Sequence, residues 1–375
     1  MIAMGTDPVV MRPEGRTLWL DDFTGVKYNM QPKNNIKKNI IWTFISLVLA
    51  FLTIHMVLKN GKNTSVKDLI EVISSSNKIY FALGVVASAM YVWFEGVAIC
   101  SILKSTNHSK SNLKGLLYSA SDIYFSAITP SATGGQPASA FFMIRDGIPA
   151  GIATATLVLN LMMYTVAILV LGIVSIIISP GAYLGFSGFA KFLICLGFVA
   201  LSILAMLFYM LLKKESLIFV PLDKVITFLH NKRIIKDKDR KLSKLERIRN
   251  DYKTYSSLIS GRKRVLFLAF IWNFIQRASQ IMVPMLIYAS LDGNEKGMSL
   301  VFSKQCLITI GYNFIPIPGG IGISDYLMID GFMEMMGETM AFNVELISRG
   351  VMFYICVSIS GIITLIGYLV GRIRK

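Results

Sequence analysis

Two fully charged side chains stand in the middle of apolar runs long enough to cross a bilayer. One is Glu95, in Tyr91-Val92-Trp93-Phe94-Glu95-Gly96; the other is Arg277, flanked by Gln276 and Gln280. An ionisable group in hydrocarbon is costly unless paired or hydrated, so each is a functional candidate by default. Asn273, Gln276, Arg277 and Gln280 are spaced i, i+3, i+4 and i+7, which puts them on one helical face. Two readings fit this stripe. It is either a buried network joining helices or the wall of a hydrophilic cavity, in which the Arg277 guanidinium fork binds an anionic group such as a lipid phosphate.

Two other apolar stretches are broken by Pro/Gly clusters: Thr129-Pro130-Ser131-Ala132-Thr133-Gly134-Gly135-Gln136-Pro137, and Ile315-Pro316-Ile317-Pro318-Gly319-Gly320-Ile321-Gly322. Unwound backbone at membrane depth is tolerated only against protein or a water-filled cavity. Paired breaks in two halves of a membrane protein therefore point to a substrate pathway. The half-helix after each break would present unpaired N–H groups and the positive end of its dipole, which suits an anion. Gly134, Gly135, Gly319, Gly320 and Gly322 would let backbone approach a headgroup closely, with Pro130 and Pro318 setting the breaks. Gln136, Ser139, Ser324 and Asp325 follow within about a turn. Asp325 either favours the helix dipole or serves a proton or headgroup; Arg349, near the start of the last span, reads as a snorkelling or pairing residue. Arg145 and Asp146 read as a polar helix end. The alternative is that both Gly pairs are ordinary helix ends.

The elements that must position these groups follow from composition. The 375 residues are 54% hydrophobic, with a mean hydropathy of +0.59 and apolar runs of about 20 residues, the length that spans a bilayer. The chain reads as an all-α polytopic membrane bundle. Uninterrupted spans fall at about 39–58, 79–103, 148–178, 187–212, 265–290 and 344–370. Residues 1–35 form a polar extension without signal-peptide character, and 36–375 form the membrane domain. Of the net charge of +16, most lies in segment 213–264, which holds sixteen Lys or Arg against six acids. Such an excess marks a cytoplasmic loop rather than a nucleic-acid site and places both termini in the cytoplasm. That loop is either a pair of amphipathic helices on the inner leaflet, attracted by about 1 kcal/mol per basic residue, or a solvated linker.

The broken segments, about 115–145 and 298–336, read as re-entrant hairpins, the first dipping in from the cytoplasm and the second from outside. Span, hairpin, span then recurs over 79–178 and 265–370 as an inverted repeat. An eight-span arrangement is the alternative. Cys100, Cys195, Cys306 and Cys356 are scattered in apolar runs, and His55, His108 and His230 are far apart, so neither disulfides nor a metal is expected. No catalytic signature and no cofactor motif is present.

At these same residues the chain resembles a known family. Thr129-Pro130-x4-Gly135-Gln136-Pro137-x2-Ala140 and Pro316-x-Pro318-Gly319-Gly320-x-Gly322-x2-Asp325 are similar to the two signature stretches of the lysylphosphatidylglycerol synthase transmembrane-region family, over roughly residues 36–372. That family is the membrane half of the bacterial multiple peptide resistance factor, and it also occurs alone. Asp325 stands where the family usually has Glu, and Arg349, Tyr354 and Gly361 resemble its last helix. The resemblance implies a bacterial plasma-membrane protein that moves aminoacylated phosphatidylglycerol, or a related phospholipid, polyprenyl lipid or glycolipid, between leaflets. In the full-length factor a separate soluble domain transfers lysine from lysyl-tRNA, and the lysylated lipid repels cationic peptides, giving antibiotic resistance. The largest non-membrane piece here is about 50 residues, below the usual ~100–150 of a domain, so no transferase domain is expected. The competing readings are a phosphatidylglycerol lysyltransferase acting with a soluble synthase in trans, and a scaffold that docks proteins on 213–264. The expected partners are anionic or aminoacylated lipids, with small residues in several spans permitting a homo-oligomer.

Overall fold

A computed structural model describes residues 66–129, 132–232, 237–291, 293–315, 317, 320 and 322–373. The polar extension, the span anticipated at 39–58, and Pro130, Pro318 and Gly319 lie outside the described residues. Among the described residues the structure is entirely helical. Five helices are long and apolar enough to cross a membrane, and they coincide with the remaining five anticipated spans.

A short α1 (Val66–Ser75) precedes α2 (Lys78–Lys104), which begins where Asn77 Oδ1 accepts the Ile79 N–H at 3.0 Å. At 1.5 Å per residue α2 is about 40 Å long, enough for roughly 30 Å of hydrocarbon. The first hairpin comprises α3 (Asn112–Ile128) and α4 (Gly135–Arg145) and is followed by α5 (Ala150–Ile178). Next come α6 (Gly188–Lys213), α7 (Ser216–Asn231) and α8 (Lys238–Gly261). The second half has α9 (Lys263–Ser290), then a hairpin of α10 (Glu295–Asn313) and α11 (Ile323–Met336). The last span is α12 (Glu338–Arg349), a π-helical turn (Gly350–Ile355) and α13 (Cys356–Ile373).

The most extensive helix contact is between α2 and α9. They run antiparallel: Asn77 N donates to Ser290 O at one end, Gln276 Nε2 to Glu95 Oε2 in the middle, and Arg262 to Ser105 O at the other. Phe94 stacks on Trp272 beside the central bond. Both breaks fold the chain back on itself. In the first hairpin Lys114 and Tyr118 of α3 reach Asp146 just past α4, and Gln136 of α4 reaches Asp122 near the tip. In the second, Lys304 of α10 donates to Gly331 O of α11 at 2.5 Å.

The hairpin bases lie at opposite ends of the bundle. Arg145, at the first base, donates to the carbonyls of Gly367 and Tyr368 near the end of α13, on the side where Arg262 meets Ser105. Asp330, in the second hairpin, accepts the Ser187 N–H at the start of α6, the other side. The first arm of each hairpin leans on the last long helix of the opposite half, α3 on α13 and α10 on α5. Glycines permit these approaches: a Cβ on Gly361 would sit 2.8 Å from the Tyr124 ring, and one on Gly96 2.5 Å from the backbone of Gly115. Outward faces are apolar, with Phe192, Ile203 and Met206 on α6 and Ile362, Leu365 and Leu369 on α13 exposed, as lipid requires.

Segment 213–264 forms the two helices α7 and α8, which pack on the bundle through part of their surface. Phe219, Tyr252 and Ile259 are buried against Ile102, Leu212 and Val265 of the membrane helices. Tyr252 donates to Leu211 O at 2.9 Å, and Asp223 pairs with Arg249 at 2.6 Å. Burial pushes the Tyr252 phenol well above its ordinary value. These contacts hold α7 and α8 against the basic end of the bundle, while Leu217, Val220, Leu222, Val225 and Phe228 of α7 stay exposed, as a helix lying on a leaflet would require.

Because α2 and α3 touch through backbone at Gly96, Gly96→Leu should cost about 1–3 kcal/mol by overpacking. It should lower the unfolding temperature in detergent. Gly188→Leu, where an added Cβ meets nothing within 4 Å, should leave that temperature nearly unchanged.

Candidate functional site

The tips of both hairpins converge, with α2, α5, α6, α9 and the π-helical turn, on a cavity of about 510 Å³. Glu95, Asp122, Gln136, Arg277, Gln280, Gln305 and Arg349 face it, among Tyr91, Tyr164, Tyr312 and Phe353. Its size falls in the usual range for small-molecule sites, about 300–1,000 Å³. Its polarity is unusual for the middle of a membrane bundle.

Arg277 is 3% exposed. Its guanidinium carbon lies 3.5 Å over the Tyr164 ring centroid and 5.1 Å from that of Tyr91, and its Nη1 donates to Gln280. The aromatic faces hold the cation without neutralising it. Among the described residues no carboxylate forms an ion pair with Arg277, and its Nε lacks a partner. The sequence stripe is therefore divided. Asn273 donates to Asn160 and Gln276 to Glu95, tying helices together, while Arg277 and Gln280 face the cavity.

Glu95 accepts hydrogen bonds from Ser119 at 3.2 Å and Gln276 at 3.1 Å. Beside it Asp122 accepts from Gln136 at 2.5 Å and Ser126 at 3.2 Å. Asp122 is a cavity residue that the broken-helix and polar-stripe patterns do not single out. It was detectable by the criterion that selected Glu95, as an ionisable residue in an otherwise apolar arm seven residues before the first break. Tyr91, Tyr164 and Tyr312 had no such signal, since aromatic residues are ordinary core.

Across the cavity Arg349 is buried and pairs with two carboxylates, Asp325 of α11 and, at 3.0 Å, Glu345 one turn earlier on α12. It also donates to Ser324 Oγ at 2.8 Å. Of the two roles considered for Arg349, this geometry is pairing and excludes snorkelling to an interface. Asp325 has a second task, since its Oδ2 accepts the Gly322 N–H at 2.9 Å and caps α11. Gly322 takes φ +86°, a left-handed conformation that favours glycine.

At each half-helix start the N–H of the capping glycine is engaged within the fold. Gly134 N donates to Thr129 Oγ1 at 2.8 Å, and Gly322 N to Asp325. The reason is local: each break carries its own capping oxygen. Gly134 and Gly135 likewise face their own hairpin, where a Cβ would collide with Thr129, or with Asp122 and Ser126. Gly320 does line the cavity, packed on Tyr312. Ser139 is fully buried behind the tip with its hydroxyl unpartnered. Arg145 and Asp146 hold the base of the first hairpin and lie away from the cavity.

Helices that cross a membrane, two hairpins and a charged central cavity define an all-α polytopic membrane protein with an internal polar site. The chain belongs to the family described as Lysylphosphatidylglycerol synthase TM region, whose model matches residues 39–360. That makes it a lipid-related membrane protein. No curated protein matches its sequence.

Removing one member of a buried ion pair strands the other and costs about 3–5 kcal/mol. Asp325→Ala and Arg349→Ala should each lower the unfolding temperature markedly. The double variant should be less destabilised than the two effects added, by at least about 0.5 kcal/mol of coupling; strict additivity would show that the pair does not hold α11 to α12.

Proposed function

We propose that the protein moves an anionic or aminoacylated phospholipid between the leaflets of a membrane, with its polar headgroup passing through the central cavity. One observation carries this reading: Arg277 is a buried cation facing a cavity between both hairpin tips, held by aromatic rings and an amide rather than by a carboxylate. A phosphate monoanion satisfies such a guanidinium and its unpartnered Nε. The carboxyls of Glu95 and Asp122 stand close enough for an ammonium on the same headgroup. Acyl chains would stay in the bilayer, against the apolar outer faces of the helices.

In this reading 79–178 and 265–370 act as inverted halves. Support comes from hairpins based at opposite ends, reciprocal packing of each first arm on the other half, and mate helices α2 and α9 at the centre. Each hairpin would then gate one leaflet, as rocking of one repeat against another does in transporters built this way. The basic end, where α7 and α8 pack, would face the cytoplasm, and Arg277, Gln280, Gln136, Gly320 and Arg349 would contact the headgroup.

The test is purified protein in phosphatidylglycerol-containing vesicles with acyl-labelled phosphatidylglycerol and a quencher confined outside. The protein should make the inner-leaflet label accessible. Arg277→Ala should slow this by about tenfold or more, the equivalent of 1.4 kcal/mol or more in barrier, with partial recovery in Arg277→Lys. Unchanged rates in well-folded Arg277→Ala would contradict the headgroup role. Lysylated lipid appearing on expression of this chain alone would favour the enzymatic reading instead.

A further inference from the structure

We propose that the Glu95–Asp122 carboxyl pair is a proton-binding site that couples headgroup movement to a proton gradient; the coupling, though not the proton site, rests on the reading just given.

The two carboxyls are buried and line the same cavity, and Ser119, which donates to Glu95, lies one helical turn before Asp122 on α3, so both face the same spot. Two carboxylates buried at one site repel each other, and a single proton taken up by the pair relieves that repulsion. The surrounding donors leave room for that proton. Glu95 Oε2 accepts from Ser119 and Gln276, and Asp122 accepts from Gln136 and Ser126, with one further oxygen on Glu95 free of these bonds.

Charge counting leads to the same place. The groups facing the pair are Tyr91 on α2, Tyr164 on α5, Arg277 on α9 and Cys356 at the start of α13. Beyond them stand Tyr312 and the Arg349, Asp325 and Glu345 cluster. Among the described residues Arg277 is the one cation lining the cavity beside the pair, so two carboxyls and one guanidinium are neutral only when a single proton is added. The second cluster cannot lend charge, because Arg349 is already matched by two carboxylates.

Coupling follows from Arg277. With the pair protonated, one negative charge remains beside one guanidinium, and an arriving phosphate competes with a single carboxylate. With the proton lost, two carboxylates oppose the phosphate. Proton binding and phosphate binding therefore favour each other, and by linkage the effect is reciprocal. A phosphate monoanion moving with one proton also carries no net charge, so it does no work against a membrane potential. No bond is made or broken beyond the transfer of that proton between carboxyl and water.

Two measurements test this. The first is infrared difference spectroscopy of purified wild-type protein, Glu95→Gln and Asp122→Asn at neutral pH. The wild type should show a protonated-carboxyl stretch that both near-isosteric variants lose. Identical protonated-carboxyl regions in all three would overturn the site whatever the protein transports. The second uses wild-type protein in the vesicle assay with acyl-labelled phosphatidylglycerol under a pH step. Movement from the acid side to the neutral side should be several-fold faster than the reverse. Equal rates would overturn the coupling, whereas no movement at any pH would overturn the transport reading and leave the infrared result to decide the proton site.

Discussion

The antiparallel packing of α2 on α9 sets where every other element can go. The first hairpin packs on α2 through α3, and the second packs on α9 through α10. The register of α2 on α9 is held at the ends by Asn77 with Ser290 and Arg262 with Ser105, and at the centre by Gln276 with Glu95. That central bond is made where water is scarce, so a shift of register would strand a carboxyl and an amide in hydrocarbon. The same register sets Arg277 one residue past Gln276, on the side where the hairpin tips arrive. A structural hydrogen bond thus aims Arg277 into the cavity.

The hairpins face the opposite problem, since a break frees backbone groups that lipid cannot satisfy. The chain solves this locally. Thr129 and Asp325 supply oxygens to the first free N–H groups after each break, and glycines let the arms close on one another. Asp325 also joins the tip of the second hairpin to Arg349, just before the π-helical turn that lines the cavity. Movement of that hairpin and of the last span is mechanically linked through this pair.

Much of the fold was legible in the sequence because lipid imposes simple rules. Runs of apolar residues marked the five described spans, and Pro/Gly clusters marked both hairpins. What the residues could not reveal was the direction in which polar groups point. Gly134 and Gly135 looked like a platform for a headgroup, and the structure turns Gly134 toward Thr129 and Gly135 toward Asp122 and Ser126. Arg349 looked able to reach an interface, but two carboxylates from different helices hold it inside. Tyr164 is invisible as a site residue until the fold places its ring under Arg277. In the basic segment Phe219, Tyr252 and Ile259 face the bundle while Leu217, Val220 and Val225 face outward, and periodicity alone does not say what each helix face meets.

The central claim is that a lipid headgroup occupies the cavity around Arg277. It is tested most directly by photo-crosslinking purified protein in bilayers with phosphatidylglycerol bearing a photoreactive group on its headgroup, followed by peptide mapping of the adducts. The account predicts adducts on α2 near Tyr91, on the first hairpin tip near Gln136 and on α9 near Arg277, diminished in Arg277→Ala. Adducts confined to the outward faces of α6 and α13, unchanged by that substitution, would contradict it.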